Sequence, residues 1–87
     1  MMADRNAVLN RMASIEGHLR GVRKMIEEDA YCVDILKQTY AVQRAISALE
    51  QTLLRAHLST CVPNGLADGR RDEVISELED LFGLARR

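Results

Sequence analysis

The chain has 87 residues and a formal net charge of −1, and only 3% of its residues are aromatic. A monomer of this length would bury a marginal core, so we expect one small domain, residues 1–87, that assembles with further copies. The near-zero charge gives no compositional sign of a nucleic-acid partner. No apolar run resembles a signal peptide or could span a bilayer, so we expect a cytoplasmic protein with no membrane partner.

The first predicted helix covers about residues 5–28. Its apolar residues recur at alternating spacings of four and three, which is typical of a helix with a narrow apolar seam. The seam consists of Val8, Met12, Ile15, Leu19, Val22 and Ile26. Gly17 and Gly21 each weaken the helix by about 1 kcal/mol relative to Ala, so we expect a neighbouring helix to approach closely there.

The second predicted helix covers about residues 30–61, with Asp29 as its N-cap. Apolar residues occupy about half of its circumference, which implies two packing partners. The motif Val62-Pro63-Asn64-Gly65 should end this helix, and a loop should run through Asp68-Gly69. A short third helix is expected over residues 70–84, with Val74, Leu78 and Leu81 facing inward. The fold class is therefore all-α, with three helices in each protomer.

Cys32, His57 and Cys61 form the strongest candidate site. His57 and Cys61 are four residues apart, so on a helix they lie on one face, one turn apart. At about 100° per residue, all three side chains fall within an arc of about 40°. Cys32 is nevertheless about 37 Å from His57 along one helix, because each residue adds about 1.5 Å. A single site therefore needs Cys32 from an antiparallel second copy, which gives two equivalent sites per dimer.

Two thiolates and one imidazole form a soft donor set that suits Cu(I) best and Zn(II) next. Zinc usually takes a fourth ligand, and His18 is the only candidate, although a structural polar role explains this residue better. Taken alone, Cys32 is as readily explained as a buried apolar cysteine. The sequence gives little support for an enzymatic function, because it has no glycine-rich phosphate loop and no Ser-His-Asp arrangement. We expect no enzymatic activity and no small-molecule substrate.

Basic residues form stripes on both long helices. Those singled out as candidate DNA contacts are Arg11, Arg20, Arg23, Lys24, Arg44 and Arg55. Charge alone explains these stripes equally well as solvated helix faces. No helix-turn-helix pattern is present in the sequence, so DNA binding would use the faces of an oligomer and rest mainly on phosphates and DNA shape.

Several motifs closely resemble the CsoR/RcnR family of metal-responsive transcriptional repressors over about residues 8–82. They are Arg11-Met-Ala-Ser-Ile-Glu-Gly-His-Leu-Arg-Gly-Val, Met25-Ile-Glu-Glu-Asp-Ala-Tyr-Cys-Val-Asp-Ile-Leu-Lys-Gln, Ala41-Val-Gln and His57-Leu-Ser-Thr-Cys61. The resemblance implies an all-α dimer of antiparallel hairpins, usually a dimer of dimers. It also implies a protein that binds operator DNA and releases it on sensing a ligand.

Within this resemblance, Cys32, His57 and Cys61 match the donor pattern of the copper(I) sensors. The nickel and cobalt sensors have His at the third position and an added N-terminal His, and the formaldehyde sensors have an N-terminal Pro. All three features are missing from this sequence, which has Cys61 at the third position and begins Met-Met-Ala-Asp-Arg. The persulfide sensors keep both cysteines but lack the His, so His57 argues against that branch. A thiol-redox sensor using Cys32 and Cys61, or a plain helical oligomerisation module, remains the alternative.

The resemblance also extends to residues around the expected site. Tyr31 and Glu77 match positions of the copper branch that support the ligands, and we expect them to couple metal binding to DNA release through His57. Arg11 matches a DNA-contacting position of the family. Gln51 stands where some copper sensors carry an Arg that is important for DNA binding, so part of the operator contact is expected to have moved to Arg44 or Arg55.

Overall fold

The computed structural model describes residues 3–86, so residues 1, 2 and 87 of the predicted domain lie outside the described residues. Its helical elements are α1 (Arg5–Glu27), α2 (Cys32–Ala56), a π-helical turn (His57–Cys61), α3 (Val62–Ala67) and α4 (Arg71–Ala85). Residues 3–86 contain no strand, which confirms the all-α prediction. None of these helices is long and apolar enough to cross a membrane. Two compact units are present, one from Ala3 to Leu54 and one that begins at Arg55.

Both ends of α1 are fixed by local hydrogen bonds. The Asp4 carboxylate accepts from the backbone N–H groups of Asn6 and Ala7, which caps the helix N-terminus. At the other end Asp29 adopts a positive φ of 54°. The N–H of Asp29 donates to the carbonyl of Ile26, and the N–H of Ala30 donates to the carbonyl of Met25. This is a Schellman motif. The prediction of Asp29 as N-cap of the second helix was therefore wrong, because Asp29 ends α1 instead.

The first unit is held together by a core that α1 and α2 share. Val8, Ile15 and Val22 of α1 are buried with Val42 and Leu49 of α2. These residues are spaced by seven on each helix, so every second turn contributes one side chain to the contact. A core of this size is small, as expected for a chain of this length.

The other half of the predicted α1 seam stays exposed. Met12, Leu19 and Ile26, which also follow a spacing of seven, are at least 37% exposed. The tyrosines are exposed as well, with 69% for Tyr31 and 57% for Tyr40. The seam prediction therefore holds as a helical pattern, but the chain itself covers only half of it.

The predicted close approach to the α1 glycines was wrong for contacts within the chain. A methyl group built at Gly21 meets nothing within 4 Å. At Gly17 it meets only the guanidinium of Arg20, at 3.6 Å. No helix of the described chain therefore needs either glycine as a space for packing.

The second unit contains the clearest departure from the predicted elements. Helical backbone does not end at Val62-Pro63-Asn64-Gly65 but continues to Ala67. In an unbroken α-helix the ring of Pro63 would clash with the carbonyl four residues earlier and deprive it of a donor. The π-turn avoids this, because the N–H of Val62 donates to the carbonyl of His57, five residues back. Pro63 then falls in the first turn of α3, where proline is well tolerated.

A tight turn joins α3 to α4. Gly69 has a φ of 78°, and its N–H donates to the carbonyl of Leu66. The N–H of Arg70 donates to the carbonyl of Gly65 at 2.8 Å. This is a second Schellman motif, and Gly69 occupies its left-handed position. Val74 is buried at 6% exposure, whereas Leu81, which was expected to face inward, is 41% exposed.

Candidate metal centre

His57 and Cys61 are the first and last residues of the π-turn. A π-turn closes on the fifth residue, so side chains four apart still lie about one turn apart on one side of the helix. Both residues are partly buried, and Cys61 is a free thiol. The turn therefore carries an imidazole and a thiol about one turn apart along the helix.

Two hydroxyl groups support the π-turn. The Ser59 hydroxyl donates to the carbonyl of Arg55, and the Thr60 hydroxyl donates to the carbonyl of Ala56 at 2.8 Å. Such bonds back to the preceding turn compete with the regular ladder and distort helices. Neither hydroxyl was predicted from the sequence. The available signal was an adjacent Ser and Thr within a predicted helix, because such hydroxyls can donate to the carbonyls of the preceding turn.

Glu77 of α4 lies against the imidazole of His57. Its Oε2 is 3.8 Å from His57 Nε2, and the side chains are 60% and 30% exposed. This distance is longer than a hydrogen bond, so the two groups are neighbours with a favourable charge arrangement when the imidazole is protonated. The other ring nitrogen, Nδ1, is not the one that faces the carboxylate.

Cys32 and Tyr31 lie at the beginning of α2. Cys32 is the first residue of the helix and is an exposed free thiol. The carbonyl of Tyr31 accepts from the N–H of Ile35 at 3.2 Å, which starts the helical ladder. Within residues 3–86 of one chain, no group of three or more His, Cys, Asp or Glu side chains is placed to hold a metal ion.

His18 has a partner of its own. Its Nε2–H donates to Oε1 of Gln38 at 2.7 Å, across α1 and α2 of the first unit. This bond supports the structural polar role and gives His18 no connection to His57.

All six predicted DNA-contacting residues are exposed: Arg11, Arg20, Arg23, Lys24, Arg44 and Arg55. Two of them pair with acidic residues one turn along α1. Arg23 Nε is 2.9 Å from Glu27, and Lys24 Nζ is 3.9 Å from Glu28. In the described part of the chain no ion pair involves the other four, so these charges face solvent without local neutralisation. They are Arg11, Arg20, Arg44 and Arg55.

A family model described as metal-sensitive transcriptional repressor matches residues 4–83. This match covers all of α1 and α2 and most of α4. The chain belongs to the metal-sensitive transcriptional repressor family. Membership confirms the family indicated by the sequence motifs and makes the chain a transcriptional repressor rather than an enzyme.

Relatives in this family are similar along most of the chain. The copper-sensing transcriptional repressor CsoR of Mycobacterium tuberculosis (strain ATCC 25618 / H37Rv) is 41% identical over 80 residues, covering 92% of this chain and 67% of that protein. The copper-sensing transcriptional repressor CsoR of Bacillus subtilis (strain 168) is 42% identical over 79 residues, covering 91% of this chain and 78% of that protein.

Solved structures of the family share the fold. The crystal structure of the copper-sensing repressor CsoR with Cu(I) from Geobacillus thermodenitrificans NG80-2 matches with a TM-score of 0.90 and 34% identity, covering 94% of this chain and 85% of that one. The nickel-responsive transcriptional regulator InrS matches with a TM-score of 0.79 and 29% identity, covering 95% of this chain and 93% of that one. Both matches agree with the all-helical fold described above.

Proposed function

We propose that this chain is a copper(I)-responsive repressor that binds operator DNA without metal and releases it when Cu(I) binds. The observation that carries this proposal is the pairing of His57 and Cys61 on one helical turn, in a chain 41% identical to a copper-sensing repressor. Sulfur and imidazole donors favour Cu(I) over harder ions. Zinc is the alternative, and the bond from His18 to Gln38 engages the only residue suggested as its fourth ligand.

The proposed site takes His57 and Cys61 from one subunit and Cys32 from a second copy. The reasons are the helical spacing that separates Cys32 from His57 on one chain, and the exposure of its thiol in the isolated chain. His57 would ligate through Nδ1, since Nε2 faces Glu77. When bound, the metal would supply a fixed positive centre that holds the two subunits and the π-turn in one arrangement.

Assembly is supported by the apolar surface that the chain leaves uncovered. All three aromatic residues, Tyr31, Tyr40 and Phe82, are more than half exposed. Aromatic side chains dominate the energetics of interfaces, so we propose that copies of the chain cover them in a homodimer and a dimer of dimers. The same assembly would bring the exposed basic residues of several copies together as a DNA-binding surface.

The proposed coupling runs from His57 to α4. With the site occupied, the imidazole is held by its ligating nitrogen, and its Nε2–H becomes a fixed donor for Glu77. Glu77 would then hold α4 against the π-turn, and the hydroxyl of Tyr31 from the second copy would join this network. The resulting shape would no longer present the basic surface that matches the operator. Couplings of this kind are typically about 1–3 kcal/mol.

X-ray absorption spectroscopy of the protein loaded with one equivalent of Cu(I) tests the site. We expect two sulfur neighbours and one nitrogen neighbour around the copper. His57→Ala should remove the nitrogen signal, and Cys32→Ala or Cys61→Ala should remove one sulfur. His18→Ala is the matched control and should leave the spectrum unchanged. A spectrum of wild type with nitrogen and oxygen neighbours only would contradict the proposed donor set.

A further inference from the structure

Gly65 is the one glycine in the described chain whose missing side chain is needed for packing. A methyl group built on its Cα would lie 2.6 Å from Cγ2 of Val74. Real side chains do not approach this closely, so an added methyl must displace one of the two helices. Gly65 is itself buried, and it belongs to α3, whereas Val74 belongs to the first turn of α4.

Val74 has little freedom to avoid such a methyl group. It is buried at 6% exposure, and its β-branched side chain has one strongly preferred rotamer in a helix. The flexible neighbour of Gly65, the guanidinium of Arg70, is further away at 3.8 Å. The displacement would therefore fall on α4 as a whole.

Val74 and Glu77 lie on the same face of α4, because they are three residues apart. The contact of Val74 with Gly65 thus sets how near that face of α4 lies to α3. Gly65 also fixes the turn through its backbone, since its carbonyl accepts from the N–H of Arg70 at 2.8 Å. Both interactions lie between the π-turn that carries His57 and the helix that carries Glu77.

We propose that Gly65 is a positioning residue for the regulatory contact: its lack of a side chain lets Val74 seat α4 so that Glu77 reaches His57. This inference deepens the proposed function and rests on it for the regulatory part. The positioning part stands on the contacts in the second unit alone. Gly65→Ala should push α4 outward, separate Glu77 from His57, and leave the ligand atoms of His57 and Cys61 in place.

Two measurements test this inference on the full chain. The first is NMR of the metal-free protein, in which cross-relaxation between the His57 ring protons and Glu77 reports their proximity. Gly65→Ala should abolish it, and Gly65→Ala/Val74→Ala should restore it, because alanine lacks the Cγ2 methyl that the new Cβ would meet. Gly83→Ala, which adds a methyl where nothing lies within 4 Å, is the matched control.

The second measurement is the ratio of DNA affinities without and with Cu(I). Couplings of this kind change affinity by about 5- to 150-fold, and Gly65→Ala should bring the ratio close to 1 with Cu(I) affinity retained. The double variant should recover the wild-type ratio. If Gly65→Ala does not fold, Val74→Ile applies the same displacement more gently by adding one methyl from the α4 side, and should reduce the ratio in the same direction.

These measurements distinguish failure of the proposed function from failure of the positioning role of Gly65. If wild type does not release DNA with Cu(I), the proposed function fails, and the NMR series alone decides the role of Gly65. If Gly65→Ala, or Val74→Ile in its place, keeps the His57 to Glu77 proximity and the wild-type ratio, Gly65 has no positioning role. The role is also overturned if the double variant folds but regains neither property.

Discussion

Glu77 Oε2 lies 3.8 Å from His57 Nε2, which brings α4 to the π-turn that carries two of the proposed copper ligands. The two residues are twenty positions apart in sequence, and the tight turn after α3 closes that separation. A carboxylate at this nitrogen favours an N–H donor there and leaves Nδ1 for a metal. Through this contact, metal binding at His57 could change the position of α4.

Removing this carboxylate should uncouple sensing from DNA release. In Glu77→Ala we expect Cu(I) affinity to stay near that of wild type, because the ligands are untouched, while the ratio of DNA affinities without and with Cu(I) falls toward 1. Fluorescence anisotropy with labelled DNA measures this ratio. Glu79→Ala, an exposed acidic residue on the same helix, is the control and should behave as wild type. Complete release from Glu77→Ala at saturating Cu(I) would show that α4 has no part in the switch.

Mixing two inactive variants should restore copper binding. A heterodimer of Cys32→Ala and Cys61→Ala chains has one site that receives both substitutions and one site that receives neither. We expect each heterodimer to bind one Cu(I), while both parent homodimers have lost tight binding. Anaerobic titration with a Cu(I) chelator as competitor measures the number of sites. Absence of binding in heterodimers separated by differential tags would contradict a site shared between subunits.

Operator binding should depend steeply on salt and on Arg11. Each phosphate contact contributes about 0.9 to the slope of log K against log salt concentration, so Arg11→Ala should lower both the affinity and the slope. Arg71→Ala, an exposed arginine of α4 outside the two basic stripes, is the control for total charge. An affinity that hardly changes between low and high salt would contradict binding through the basic faces.

Two glycines with open surroundings should respond to alanine in opposite ways. Neither Gly69 nor Gly83 has an atom within 4 Å of an added methyl group, so only backbone preference matters. Gly69 has φ of 78°, and Gly69→Ala should lower the free energy of unfolding by about 1 kcal/mol. Gly83 lies inside α4, and Gly83→Ala should raise the free energy of unfolding by up to about 1 kcal/mol. Urea denaturation at equal protein concentration measures both, and stabilisation by Gly69→Ala would contradict the left-handed turn.

The fold was predictable where the sequence pattern is long and regular. The alternating spacing from Val8 to Ile26 predicted α1, although the described chain buries only Val8, Ile15 and Val22 of that seam. The boundaries of the first and third predicted helices were correct within one residue. The errors arose where one residue type serves two structures. Asp favours both helix N-caps and left-handed positions, and only the hydrogen bonds around Asp29 show which applies.

The site, too, could be predicted only in part. The spacing of His57 and Cys61 indicated a shared helical face, but proline chemistry suggested a helix end where the π-turn lets the helical backbone pass Pro63. The resemblance to the family pointed to Glu77. Its distance from His57, however, depends on the turn after α3 and on the space at Gly65, which are tertiary features without a periodic signal.

The most direct test of the account is a comparison of inducers on the DNA complex. Genomic fragments selected by the metal-free protein are labelled, and release is followed by anisotropy with Cu(I), Zn(II), Ni(II), formaldehyde and persulfide in parallel, under anaerobic conditions. We predict full release near one equivalent of Cu(I) per chain, little effect of the other agents, and no release by Cu(I) from His57→Ala. DNA that stays bound at saturating Cu(I), or that is released by persulfide from His57→Ala and wild type alike, would contradict a copper(I)-responsive repressor.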